Sequence, residues 1–223
     1  MPEAAGVNYE VFLITTTEAK QRQEDCLNFL KQIPLLSQVT VLNSERDHDD
    51  TRRGCFNAHK RWAKLTAESD SIDVAVVFED DIYSDLTPQA MNQRFLECLN
   101  FIKCKEPKPD VFFLGHIPCG RLSRVTAGGA FVKSNCSQQT HAMIVPRHFA
   151  AELASWDYNP GDHIDQRISM FSSQQYAIYP QIIFQNDTTT FHSRWVDKIL
   201  VKARDIIGPM RLSKWLEWIW INV

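Results

Sequence analysis

Residues 73–85 read DVAVVFEDDIYSD. Five apolar residues, Val74 to Phe78, run straight into three acids, Glu79, Asp80 and Asp81. The run is short, continuous and rich in β-branched side chains, so it predicts a strand buried on both faces of a parallel sheet. Ligands of open α/β sheets bind beyond the carboxyl ends of such strands. Three carboxylates at that place repel one another unless a cation compensates them. A single aspartate there would read as a turn cap, but a cluster of like charges is costly without a purpose. On an extended chain Glu79 and Asp81 point to one side and Asp80 to the other. Two oxygen donors on one side suit a hard divalent ion, Mn²⁺ or Mg²⁺, which completes its shell with substrate phosphates.

Outward from this strand the pattern alternates. Residues 9–15 read as a strand, and 18–33 as a helix with Cys26, Leu30 and Ile33 on one face and Pro34 ending it. A short strand at 38–42 and a charged loop at 45–53 follow. A helix over 55–68 places Ala58, Trp62 and Leu65 at helical spacing. Beyond the acids, Thr87-Pro88 forms an N-cap and first-turn pair. The helix it opens carries Met91, Phe95, Leu99 and Ile102 on one face. Residues 110–114 form a strand. The irregular stretch 115–139 reads as an acceptor-side or lid loop, with plain disorder as the alternative. A strand at 140–145, a helix at 162–171 (Ile164, Ile168, Phe171) and an extended segment at 176–185, broken by Pro180, complete the series. Such alternation predicts an α/β sandwich with a mostly parallel central sheet.

The 223 residues are 44% hydrophobic and 23% charged, which suffices for one domain with a sizeable core. A net charge of -3 carries no footprint of nucleic-acid binding. The opening MPEAAGVNYE lacks the basic and apolar regions of a secretory leader, and no apolar run reaches membrane-spanning length. None of the six cysteines falls in a CxxC pair, so they read as buried free thiols of a reducing compartment. The expected location is therefore cytoplasmic. Dinucleotide, P-loop and nucleophile-elbow motifs are absent.

Acids at a strand end suit a nucleotide-sugar donor, because the departing nucleoside diphosphate gains charge that a bridging metal stabilises. Glu79 and Asp81 are the candidate metal ligands, and His192, in TTTFHSRW, could complete the shell. Asp162 and Asp165, in PGDHIDQRI, share a helix face, and either could take a proton from an acceptor hydroxyl. They equally suit an acidic capping box with Asp162 as N-cap. His59, with Arg52 and Arg53 at a helix start, could contact phosphate or form a solvated face. Residues 195–223 differ in character from the domain at 1–194. They hold four of the six tryptophans interleaved with basic residues. Such amphipathic helices bind a membrane interface, dock on their own domain or meet a second subunit as a homodimer.

Several segments together resemble glycosyltransferase family 25, the lipopolysaccharide and collagen galactosyltransferases. They are Gly54-Cys55-Phe56-Asn57-Ala58-His59 with Trp62, and the block from Val76 to Ile82. The block from Thr140 to Pro146 and then His163-Ile164-Asp165 follow in the family's order, as does Ala177-Ile178-Tyr179-Pro180. The resemblance implies a GT-A, Rossmann-type fold, a UDP-sugar donor, a Mn²⁺-type ion and inversion at the anomeric carbon. It implies a hexose, galactose or glucose, moved to a glycan or glycoconjugate hydroxyl. By position it gives Glu79 and Asp81 the metal and nucleotide, and it favours Asp165 over Asp162 as base. Thr15, Arg52, His59, Glu79 and Asp80 would line the donor. After the first strand this chain has Thr15-Thr16-Thr17, with Arg22 only later, where the family carries an arginine-bearing stretch. A catalytically silent nucleotide-sugar-binding protein and a metal-dependent nucleotidyltransferase are the alternatives.

Overall fold

The structure, a computed structural model, describes residues 3–118, 121–125 and 130–186. In chain order the first half runs β1 (Glu3–Ala4), β2 (Val7–Thr16), α1 (Lys20–Lys31), a 3-10 turn (Pro34–Leu36), β3 (Val39–Ser44), α2 (Thr51–Glu68), β4 (Val74–Glu79), β5 (Ile82–Tyr83) and α3 (Pro88–Cys104). The second half runs β6 (Val111–Pro118), β7 (Leu122–Arg124), β8 (Phe131–Ser134), β9 (Ser137–Pro146), α4 (Arg147–Ser155), α5 (Ile164–Phe171), β10 (Gln175–Ile178) and β11 (Phe184–Gln185).

The main sheet has the order β1-β2-β4-β9-β6-β10-β8-β7, with β3 also pairing β2. Strands β3, β2 and β4 are mutually parallel, and β6 and β10 are parallel to each other. Strand β9 runs antiparallel to both β4 and β6, so it is the reversed strand in an otherwise parallel centre. The α/β class and the mostly parallel sheet agree with the sequence pattern.

Alternation along β4 builds two cores. Val74, Val76 and Phe78 pack with Cys26 and Leu30 of α1 and with Met91, Phe95 and Leu99 of α3. Ala75 and Val77 pack on the opposite face with Phe56 and Trp62 of α2, Phe149 and Leu153 of α4, and Ile164 and Ile168 of α5. All five strand residues are buried, as a central strand requires.

Several local expectations are corrected. Helix α2 begins at Thr51, because Asp50 accepts hydrogen bonds from the Arg52 and Arg53 amides and caps it. Leu65 is 44% exposed, and His59 takes its place in the buried set. Helix α5 starts at Ile164 behind His163, so Asp162 is not its cap and no capping box forms. Much of the stretch read as irregular is strand. The ribbon β7-β8 pairs on to β10 and extends the sheet. Cys136 is disulfide-bonded, so the reading of all six cysteines as buried free thiols fails at that residue. Cys26 and Cys98 are free and buried, while Cys55 and Cys104 are free and exposed. No helix among the described residues is long and apolar enough to cross a membrane.

Candidate functional site

Strand β4 delivers its three acids to three different environments. Glu79 keeps the strand's alternation and turns towards α2. Its Oε1 accepts a hydrogen bond from Thr140 Oγ1 of β9 at 2.8 Å, and His59 Nε2 lies 3.4 Å from the same oxygen. Burial pushes the Glu79 carboxyl upward, but the contacts with His59, Thr140 and His141 outweigh it and hold its pKa below the usual carboxylate value.

Asp80 turns the other way, towards α1. It accepts from Thr15 Oγ1 at 2.6 Å and pairs with Arg22 Nη2 at 3.4 Å. Burial raises its pKa, and Thr15 and Arg22 act against that rise.

Asp81 lies in the turn between β4 and β5. Its Oδ2 accepts from Gln185 Nε2 at 2.9 Å, and its backbone carbonyl accepts from the Asn186 amide at 2.6 Å. Its Oδ1 is buried and has no hydrogen-bond partner among the described residues. Burial, then the charge of Glu79, pushes its pKa up to about 7, with Asp80 adding to the effect. A buried acceptor left without a partner costs about 1–3 kcal/mol, and more when charged.

Gln185 reaches Asp81 through a precise crossing of the chain. After β10 the backbone passes over β6, where the Ile182 and Ile183 amides both donate to the Leu114 carbonyl. Strand β11 then pairs with β5, bringing Gln185 opposite Ile82. The crossing needs Gly115, since a Cβ there would lie 2.1 Å from the Ile183 carbonyl oxygen and 2.5 Å from His141 Nε2.

The far half of the chain meets the acids at Cys55. Crowding by surrounding protein, then the charges of Glu79, Asp165 and Asp81, all raise the pKa of this thiol, although the residue opens to solvent. Asp165 therefore shares an electrostatic neighbourhood with Glu79 and Asp81. Among the described residues its Oδ1 accepts from the adjacent Gln166 amide.

Other sequence candidates fall elsewhere. Asp162 Oδ2 accepts from the Asn159 amide at 3.0 Å and from Arg167 Nη1 at 2.8 Å, so its carboxylate ties a loop to α5. Its Oδ2 lone pairs are engaged in holding the fold. Thr15 is 2% exposed and spends its hydroxyl on Asp80 rather than facing a donor. His59 is 0% exposed and cannot touch a phosphate. Arg52 is exposed on the first turn of α2. His192 and residues 195–223 lie outside the described residues. The sequence reading missed Arg22, Thr140 and Gln185 as neighbours of the acids. Arg22 stands two residues into a helix that follows a strand ending beside the acids, and that spacing was a usable signal. Thr140 and Gln185 depended on strand pairing that periodicity does not reveal.

The donor set admits a hard cation. Asp81 Oδ1 is an orphaned carboxylate oxygen, and repulsion from Glu79 and Asp80 disfavours its charge until a cation arrives. Among the described residues no three side chains of the ligating types form a ready-made cage. Ions of the Mg²⁺ type need only one or two carboxylates when phosphates and water supply the rest.

No protein-family model matches the chain, and no curated protein does. Similar solved structures include A197 from STIV, with TM-score 0.44 and 13% identity over 77% of this chain and 81% of that one. A variant of Drosophila beta-1,4-galactosyltransferase 7 in complex with manganese, UDP-Gal and xylobiose gives TM-score 0.41 and 9% identity, over 85% of this chain and 79% of that one. A glycosyltransferase involved in glycosylation of the major capsid of PBCV-1 gives TM-score 0.39 and 11% identity, over 65% of this chain and 63% of that one. The latter two are glycosyltransferases by description, and likenesses this distant concern the arrangement of the chain alone.

Proposed function

We propose that the protein is a metal-dependent glycosyltransferase of GT-A type, transferring a hexose from a nucleotide sugar to a glycan or glycoconjugate hydroxyl with inversion. The observation that carries this reading is the orphaned Asp81 Oδ1 just beyond the carboxyl end of the central strand, within the fields of Glu79 and Asp80. Asp81, with the free oxygen of Glu79 and with His192, would hold a Mn²⁺ or Mg²⁺ ion. When bound, such an ion neutralises the charge that grows on a departing diphosphate.

The chain's own residues supply the rest. Glu79 stays ionised because Thr140 and His59 hold it so, and it contributes negative charge without taking up a proton. Arg22 stands 37% exposed beside Asp80, where a guanidinium can engage a phosphate oxygen. Asp165, in the same electrostatic neighbourhood, takes the proton of the acceptor hydroxyl as that oxygen attacks the anomeric carbon. The resemblance to family 25 favours UDP as the nucleotide and galactose or glucose as the sugar.

Thermal-shift screening of UDP-sugars and nucleoside triphosphates, each with and without Mn²⁺, tests the reading. A Mn²⁺-dependent upward shift with at least one UDP-sugar is expected. Asp81→Ala should remove that shift and lower turnover at least ~10³-fold. A metal-dependent shift with triphosphates alone would replace the reading with a nucleotidyltransferase.

A further inference from the structure

Trp62 and His59 stand three residues apart on the buried face of α2, and both are 0% exposed. Their rings meet edge to face at 6.2 Å between centroids. The Trp62 indole Nε1–H donates to His59 Nδ1 at 3.1 Å. An indole N–H can only donate, so Nδ1 must be the lone-pair nitrogen. The single proton of the neutral imidazole is then on Nε2. That nitrogen has no regular hydrogen bond among the described residues, and Glu79 Oε1 lies 3.4 Å from it. Thr140 Oγ1–H reaches the same oxygen from β9.

We propose that His59 is a positioning residue for Glu79, held by Trp62 in the tautomer that directs its proton at the carboxylate. The other neutral tautomer meets a clash at each nitrogen. A proton on Nδ1 would face the indole N–H, donor against donor. The same tautomer would turn the Nε2 lone pair on to Glu79 Oε1. Of the two neutral tautomers, Trp62 thus selects the one protonated on Nε2. With Oε1 clamped from α2 and β9, the second oxygen, Oε2, is left to the cleft in a fixed direction. The orienting chain runs from Trp62 through His59 to Glu79, and no member before Glu79 touches a substrate. Only the metal arm of the test below rests on the proposed function.

Trp62→Phe keeps most of the ring and deletes the N–H. Nitrogen NMR of histidine-labelled wild-type protein is expected to show His59 with its proton on Nε2, and Trp62→Phe to show a mixture of tautomers. Crystal structures of the two metal-free proteins are expected to show the Glu79 carboxylate rotated in the variant. Mn²⁺ alone, titrated by electron paramagnetic resonance, is expected to bind about 10-fold more weakly to Trp62→Phe and His59→Ala. His59→Gln, whose amide can still donate, is expected to recover most of that loss. A wild-type ring protonated on Nδ1 would overturn the proposal. So would Trp62→Phe protein with tautomer and Glu79 orientation unchanged. Absence of Mn²⁺ binding by wild type would defeat the proposed function instead, with the tautomer and the Glu79 orientation still deciding the role of His59.

Discussion

Glu79 and Asp80 are neighbours in sequence with nearly the same chemistry, yet the two sides of the sheet treat them oppositely. On the α2 side, Glu79 meets the Thr140 hydroxyl and the buried imidazoles of His59 and His141. On the α1 side, Asp80 meets a hydroxyl and a half-exposed guanidinium. The first environment orients a carboxylate and keeps it available. The second consumes one, and in doing so places Arg22 at the rim of the cleft. Asp81 belongs to neither side, which is why one of its oxygens is left over. Neighbouring acids gain distinct roles from strand alternation followed by a turn.

The comparison can be broken most strongly across the cleft. Asp165→Asn should lower turnover by about 10²–10⁴-fold while leaving the UDP-sugar thermal shift in place. Asp162→Asn is the control, and a comparable loss of turnover there would exchange the roles of the two aspartates. Next in size is Gly115→Ala, which drives a methyl group into the Ile183 carbonyl and His141. It should cost about 3 kcal/mol or more in denaturant unfolding, in the range of severe steric substitutions. An ordinary loss of a few tenths would show that the crossing of β6 is loose.

Asp81 provides a pH test. Its pKa in the folded protein is raised from 3.8 to about 7, so the folded state holds that proton more tightly than the unfolded chain. The associated stability is complete below about pH 4 and is lost as pH rises through 7. Metal-free wild type should therefore lose about 1–4 kcal/mol between these limits relative to Asp81→Asn. Equal pH profiles for the two proteins would mean that Asp81 is hydrated. The smallest expected effect is on the α1 side. Arg22→Ala should weaken UDP binding about tenfold, as loss of one charged hydrogen bond does. Its effect on stability should stay within about 1 kcal/mol, since the pair with Asp80 is partly solvated. A loss of stability with no change in UDP affinity would assign Arg22 to Asp80 alone.

The strand ending in acids, the α/β class and the Thr87-Pro88 helix start were legible because each depends on local pattern. Met91, Phe95, Leu99 and Ile102 are all buried, as their spacing on α3 demands. Spacing failed where a polar residue carries out apolar work. His59 is fully buried, with Trp62 donating to Nδ1 and Glu79 beside Nε2, while Leu65, six residues further on, points outward. Asp162 looked like a cap, but the attraction of Arg167 took it into a loop. Strand direction was equally hidden, since a continuous apolar run reads the same in either orientation, and β9 is reversed. The acids were visible in the sequence, whereas their partners on β9 and β11 came from pairings between distant segments.

The reversed strand also governs when the protein can mature. Strands β2, β3 and β4 are complete by residue 79 and pair with one another. The other edge of β4 waits for β9, which matches Phe78 to Ala142 and Val74 to Pro146. Closing so long a loop is slow, and an open apolar strand edge is exposed to aggregation in the interval. Thr140 and His141 arrive on that same strand, so insertion of β9 both seals the sheet and assembles the surroundings of Glu79. A nascent chain stopped before residue 137 would carry all three acids and an unprotected edge, so one late strand both closes β4 and completes the surroundings of Glu79.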